Sequence, residues 1–168
     1  MFINKIISFF LILLLSPILI IVCIIILFSD GRPILFRQKR VGKNDSIFTI
    51  YKFRTMKLNT PDLASHLMND KKNMLIKSGK ILRQYSFDEL PQLINVFNGE
   101  MNFIGPRPLL YNQYDLRKIR NENGTSTLKP GITGWAQVNG RDNLSADQKS
   151  RFDLYYLKNK SIKLQIKI

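Results

Sequence analysis

Asp88-Glu89 is the one place where two acids adjoin in a chain that holds 12 Asp and Glu against 26 Lys and Arg. Two carboxyls side by side can supply a nucleophile and an assisting base. They can also hold Mg²⁺, which joins one or two carboxylates to substrate phosphates. Cations flank the pair in sequence. Arg83 precedes it in a stretch that also carries Lys77 and Lys80, and Gly105-Pro106-Arg107-Pro108 follows, a stiff turn holding an arginine between two prolines. A carboxylate at a helix N-terminus near guanidinium groups is expected to stay ionised and nucleophilic, and the same cations suit a diphosphate. Capping is a sufficient structural reason for the same residues, because Ser86-Phe87-Asp88-Glu89 scans as a capping box. Pro91 favours one register: it would clash with Ser86 as N-cap, but with Asp88 as N-cap it falls where no intrahelical donor is lost.

Lys52 and Arg54 stand two apart in an alternating segment, so they share one face of an expected strand, which favours a binding site. Arg37-Gln38-Lys39-Arg40 adds cations, and Lys39 and Arg40 suit anionic lipid headgroups equally well. Trp135 fits either core packing or a platform for a base. His66, the single histidine, reads as a surface or satisfied residue. One Cys and one His exclude a Cys/His zinc site, and the lone Cys23 excludes a disulfide scaffold.

These side chains need elements to position them. Ile6 to Phe28 holds 20 apolar residues in 23 positions, roughly 34 Å of helix and enough for a bilayer core. A signal peptide fits poorly, since the run is long and no small-x-small site follows. Ser16-Pro17 sits mid-run, where a kink or break is expected. Basic residues lie on both flanks, Lys5 before and Arg32, Arg37, Lys39 and Arg40 after. A helix that enters, bends at Ser16-Pro17 and returns to one side reconciles them better than a simple span. Asp30-Gly31-Arg32-Pro33 ends the helix.

Beyond it, Phe48–Met56 reads as a strand, and Leu63–Met68, Met74–Tyr85, Asp88–Phe97 and Tyr111–Asn121 as helices. Lys129–Arg141, with three glycines and a proline, is expected to be an ordered loop. Ile162, Leu164, Ile166 and Ile168 alternate with polar residues as a strand or an interfacial face would. The fold class is mixed α/β, mostly helical, with residues 1–30 as a re-entrant membrane helix and 31–168 as a catalytic domain with interfacial helices and short strands.

Five blocks occur in order. They are Arg37-Gln-Lys-Arg-Val-Gly42, Tyr51-Lys-Phe-Arg-Thr-Met56, Ser86-Phe-Asp-Glu-Leu-Pro-Gln92, Ile104-Gly-Pro-Arg-Pro-Leu109, and Lys129-Pro-Gly-Ile-Thr-Gly-Trp-Ala-Gln-Val-Asn-Gly-Arg141. In this order they resemble the bacterial sugar transferases, the monotopic phosphoglycosyl transferases of polyprenyl-phosphate glycan pathways. The chain is similar to the small members, which consist of the catalytic domain alone. It departs from them at Glu100 and Gln165, where aspartate is more usual, and it stops at Ile168, where members run on for a short stretch.

The resemblance implies transfer of a sugar 1-phosphate from a UDP-sugar to undecaprenyl phosphate, on the cytoplasmic face of the bacterial inner membrane. Asp88 would be the nucleophile that forms a phosphosugar intermediate and releases UMP. Glu89 would assist, with Mg²⁺ at this pair. Arg83 and Arg107 would bind phosphate, Lys52 and Arg54 would complete the basic pocket, and Gln137 and Arg141 would belong to a nucleotide-sugar loop. The Ser16-Pro17 break matches the family's re-entrant helix. A homo-oligomer is compatible with these motifs, and no nucleic-acid motif accompanies the +14 net charge. Two rival readings use the same residues. One is a membrane-tethered basic module for lipid or nucleic acid, and the other is a Mg²⁺-dependent lipid phosphatase.

Overall fold

The apolar run winds into α1 (Phe2–Asp30) in a computed structural model that describes residues 2–60, 73–140 and 143–168. Among the described residues α1 is the one helix long and apolar enough to cross a membrane, and only 11% of its most apolar stretch is buried. A soluble core helix would hide that surface; this one leaves most of it uncovered, as a membrane-associated helix does. At Ser16-Pro17, where a kink or break is expected, the helical assignment runs on without interruption through Pro17. Pro17 has no N–H for the carbonyl of Leu13, and the hydroxyl of Ser16 donates to that carbonyl instead, at 2.7 Å. Serine fills the vacancy that proline leaves.

The chain forms two compact units, one of Met1–Gln38 with Ile50–Phe97, the other of Lys39–Thr49 with Asn98–Ile168. Strands β1 (Leu35–Val41) and β2 (Ile47–Phe53) run through both, and with β4 (Leu109–Leu110) they make a three-stranded sheet in the order β2-β1-β4. The strand expected over Phe48–Met56 is thus found, a little shorter at its end.

In the first unit, Val22 and Ile26 of α1 pack with Phe53, Ile76 and Leu82. This is the core that ties the membrane helix to the rest of the unit. The helix expected over Met74–Tyr85 is only α2 (Gly79–Gln84). Before it the chain is held in turns around one bridge, because Leu75 bridges Met56 and the Ile76 amide donates to Thr55 at 3.1 Å. The helix expected from Asp88 is also divided. Phe87–Glu89 form a 3-10 turn, and α3 begins only at Gln92 and ends at Asn98. The helix expected over Leu63–Met68, and His66 with it, lies outside the described residues.

In the second unit, the end of β1 pairs antiparallel with β4, Arg40 opposite Leu110 and Val41 opposite Leu109. Val41, Leu109 and Leu116 form its small core, the last from α4 (Tyr114–Glu122). The segment expected as a loop, Lys129–Arg141, instead forms β5 (Gly131–Thr133), parallel to β3 (Asn102–Ile104), and then α5 (Trp135–Val138). Its glycines serve close packing: a Cβ on Gly131 would run into the backbone nitrogen of Gly105. Helix α6 (Ala146–Asn159) opens on a complete capping box, Ser145 with Gln148. The C-terminal alternation is a helix, α7 (Ile162–Ile166), capped by Ser161, and leaves Ile162 and Ile166 79% and 80% exposed.

Candidate active site

The expected helix cap is not how Asp88 and Glu89 are held. Ser86 enters their 3-10 turn in the left-handed region, at φ 57°, and its side chain makes no capping bond. Asp88 is no N-cap either, since α3 starts four residues later. The turn is closed by backbone bonds from the Glu89 amide to Ser86 and from the Leu90 amide to Phe87, 3.1 and 3.2 Å. Pro91 then separates the turn from α3, so the two acids sit on a short, tightly wound segment. Both are buried, each 9% exposed.

Lys52 reaches this turn from β2, its Nζ 2.7 Å from Glu89 Oε1. A second tie runs beside it, from the backbone amide of Tyr51 to Asn95 Oδ1 of α3 at 3.1 Å. Burial pushes the Asp88 carboxyl above the usual range. The charges of Lys52 and Arg83 pull it back and Glu89 pushes it further, so the balance stays upward. The expected cations are present beside Asp88, and desolvation is the largest influence on its carboxyl. A cation arriving with the substrate would tip that balance. Two adjacent carboxyls, with diphosphate oxygens and water to complete the shell, are a donor set that suits Mg²⁺. Among the described residues no group of three or more His, Cys, Asp or Glu forms a metal cage.

Arg54 does a different job from the one its strand face suggested. It is 6% exposed, and its guanidinium donates to the carbonyls of Asp30 and Gly31, both at 2.7 Å, and of Arg32 at 3.3 Å. These acceptors end α1, where a helix leaves carbonyls unpaired and favours a cation. Asp30 also accepts the Lys77 amide through its side chain at 3.2 Å. Arg54 thus caps the membrane helix, while Lys52, two residues earlier on the same strand, holds Glu89.

Arg107 and Gln137 lie in the second unit, and Arg141 lies outside the described residues. The turn that carries Arg107 is fixed by a pair the sequence reading missed. Arg120 donates to the Arg107 carbonyl at 3.0 Å and to Asp153 Oδ2 through Nε and Nη2, at 3.1 and 2.7 Å. Both partners are buried, and burial pushes the Asp153 carboxyl up against the pull of Arg120. The only local signal was an acid inside the apolar run Phe152-Asp153-Leu154-Tyr155. Gln137 donates to the Ile132 carbonyl at 2.9 Å and so braces its own loop. Trp135 stacks on Tyr155, with ring centroids 5.7 Å apart.

A family model described as Bacterial sugar transferase matches residues 1–168. An uncharacterized sugar transferase, EpsL, of Bacillus subtilis (strain 168) is 39% identical over 161 residues, covering 96% of this chain and 78% of that protein. The UDP-glucose:undecaprenyl-phosphate glucose-1-phosphate transferase of Escherichia coli (strain K12) is 37% identical over 163 residues, 93% of this chain and 35% of that protein. The UDP-N-acetylgalactosamine-undecaprenyl-phosphate N-acetylgalactosaminephosphotransferase of Aeromonas hydrophila is 37% identical over 161 residues, 92% and 38%. The chain spans little more than a third of these last two relatives.

Proposed function

The chain belongs to the bacterial sugar transferase family, and from that premise we propose that it moves a sugar 1-phosphate from a UDP-sugar to undecaprenyl phosphate at the membrane surface. The observation that carries this reading is the buried Asp88-Glu89 pair, with Lys52 bound to Glu89 and Arg83 near Asp88, in the same unit as a lipid-facing helix. A water-soluble sugar nucleotide and a lipid phosphate can meet only where such a site lies at an interface.

In the first half-reaction an Asp88 carboxylate oxygen attacks the phosphorus bonded to the sugar. The bond between that phosphorus and the bridging oxygen breaks, UMP leaves, and a phosphosugar ester remains on Asp88. In the second, an oxygen of undecaprenyl phosphate attacks the same phosphorus and frees Asp88. Glu89, paired with Lys52, assists beside it. Arg83 offsets the approach of two anions. Bound Mg²⁺, held by Asp88 and Glu89, would supply positive charge against the diphosphate. Arg107, Gln137 and Arg141 bind phosphate and nucleotide-sugar in this reading, as their sequence blocks imply.

We also read α1 as re-entrant, with the rest of the chain on the cytoplasmic side of the bacterial inner membrane. Support comes from both halves of the helix. Val22 and Ile26 pack in the first unit's core, and the Phe9 ring lies 6.1 Å from that of Phe97 in the same unit. A spanning helix would carry Phe9 toward the far leaflet.

UMP release tests the reaction. Purified full-length protein, offered a panel of UDP-sugars, should release UMP with one of them in an amount that matches the polyprenyl diphosphate sugar formed. Release of inorganic phosphate from the lipid phosphate would favour the phosphatase reading. Lipid binding without turnover of any UDP-sugar would favour the tethered binding module.

A further inference from the structure

Three successive carbonyls around Arg107 are held, each by a different element of the second unit. The Pro106 carbonyl accepts the Gly131 amide of β5 at 2.9 Å. The Arg107 carbonyl accepts Arg120 Nη1 of α4 at 3.0 Å, and the Pro108 carbonyl accepts Arg40 Nη1 of β1 at 3.2 Å. The prolines have no N–H and a φ set by their rings, and Pro108 disfavours the helical region for Arg107 before it. The turn is thus fixed by its own rings and by donors from three elements.

Among residues 105–110 every one is buried except Arg107, which is half-buried. The turn therefore presents one side chain from a braced, buried backbone. Two of the braces are guanidiniums, where neutral amides would satisfy a carbonyl as well. Arg120 is buried beside Asp153, which takes two of its other N–H groups. Arg40, which its place after the membrane helix suited to lipid headgroups, reaches the Pro108 carbonyl instead.

We propose that Arg40 and Arg120 are positioning residues for Arg107: by holding the carbonyls on and after it, they set where its guanidinium stands before a substrate phosphate arrives. This rests on the phosphoglycosyl transfer reading above, in which Arg107 binds phosphate. A guanidinium forks onto a phosphate through two parallel N–H bonds, so its angle matters as well as its charge. A preset backbone reduces the freedom that binding would otherwise remove. Such a contact acts in the ground state and the transition state alike, so a misplaced Arg107 shows in KM and not in kcat.

The test is a double-mutant cycle on the full chain in detergent micelles, with the UDP-sugar the wild type turns over fastest and UDP as inhibitor. Arg107→Met should raise KM and weaken UDP inhibition about tenfold or more, and Arg40→Met about fivefold, each with kcat within about threefold of wild type. Adding Arg40→Met to Arg107→Met should change KM by less than about twofold, because nothing is left to position. Effects that multiply would overturn the proposal, since Arg40 would then act independently of Arg107. So would a fall in kcat alone, or an unchanged KM in either single variant. The Arg40→Met effect should be the same with and without phosphatidylglycerol in the micelles. An effect seen only with that lipid would return Arg40 to the headgroups and overturn the proposal too. If Arg40→Met does not fold, Arg120→Lys replaces it in the cycle, since lysine lacks the fork that bonds Asp153 and the Arg107 carbonyl together. Failure of the parent reading shows separately, because wild type itself would then release no UMP.

Discussion

Lys52 Nζ lies 2.7 Å from Glu89 Oε1, and both side chains are nearly closed to solvent. The contact joins a strand to the turn that carries Asp88. It divides the two adjacent acids into an ion-paired Glu89 and an Asp88 whose carboxyl burial pushes upward.

Removing one partner of that pair should cost more than removing both. Lys52→Met takes the ammonium away from a buried carboxylate and should destabilise the protein by about 3–5 kcal/mol. The double variant Lys52→Met/Glu89→Gln should recover part of this, which urea unfolding in a double-mutant cycle would measure. Both single variants should lose at least about 100-fold in UMP release. Strictly additive stabilities would show the pair to be uncoupled.

Arg54 caps the carbonyl end of α1, so its substitution should act on stability before chemistry. Arg54→Ala takes the guanidinium from three part-buried carbonyls and should cost about 1–3 kcal/mol. Arg54→Lys, with no planar fork, should recover less than half of that. Thermal unfolding in detergent reads both. A folded Arg54→Ala protein of wild-type stability but without UDP-sugar binding would return Arg54 to the phosphate-contact role that its place on the strand suggested.

Asp45 gives a pH signature. Burial is the largest single influence on its carboxyl and raises it, but hydrogen bonds from Asn121 at 2.7 Å and Arg117 at 3.0 Å and the Arg117 charge together outweigh that, and it lies below the usual range. An acid depressed in the fold adds stability that is fully present above its unfolded value, near pH 4, and lost as pH falls through the folded value. Asp45→Asn should therefore be less stable than wild type by about 0.5–1 kcal/mol at pH 7. The gap should close as the pH is lowered below about 3. Unfolding curves across that range decide it, and a gap that does not depend on pH would contradict the ionic account.

The re-entrant reading of α1 predicts that both its ends face the cytoplasm. With Cys23 replaced by Ser, cysteines at Asn4 and Lys43 should both resist an impermeant thiol reagent added to intact cells. Labelling at Asn4 alone would mean a spanning helix. Pro17→Leu should shift the population toward spanning, because it restores the backbone donor that Ser16 now replaces.

Local pattern made some of this architecture legible and hid the rest. The apolar run and the alternation of β2 were clear, because each is set by burial of one face or all faces. The order of the five blocks pointed to the family. Strand periodicity placed Lys52 and Arg54 together, but a shared face does not name a partner, and one went to Glu89 and the other to a helix end. The capping-box pattern at Ser86 misled, because Ser86 takes a left-handed backbone that no spacing rule reports. Glycines in Lys129–Arg141 suggested a loop, whereas they let β5 and its turn press against Gly105. The C-terminal isoleucines alternate like a strand, yet Ser161 starts a helix there. Arg120–Asp153 joins residues far apart in the chain, and nothing local announces it.

The central claim is that Asp88 is the nucleophile, and trapping the intermediate tests it most directly. Asp88→Asn removes a carboxyl that burial already disfavours as an anion, so the variant should be at least as stable as wild type. Each protein is incubated with UDP-sugar, without lipid acceptor, then digested and weighed by mass spectrometry. Wild type should carry one phosphosugar on the peptide containing Asp88 and release one equivalent of UMP, while Asp88→Asn should show neither and turn over at least about 1,000-fold more slowly. A folded Asp88→Asn protein that turned over at near the wild-type rate, or a wild-type enzyme that turned over with no adduct on that peptide, would contradict the account.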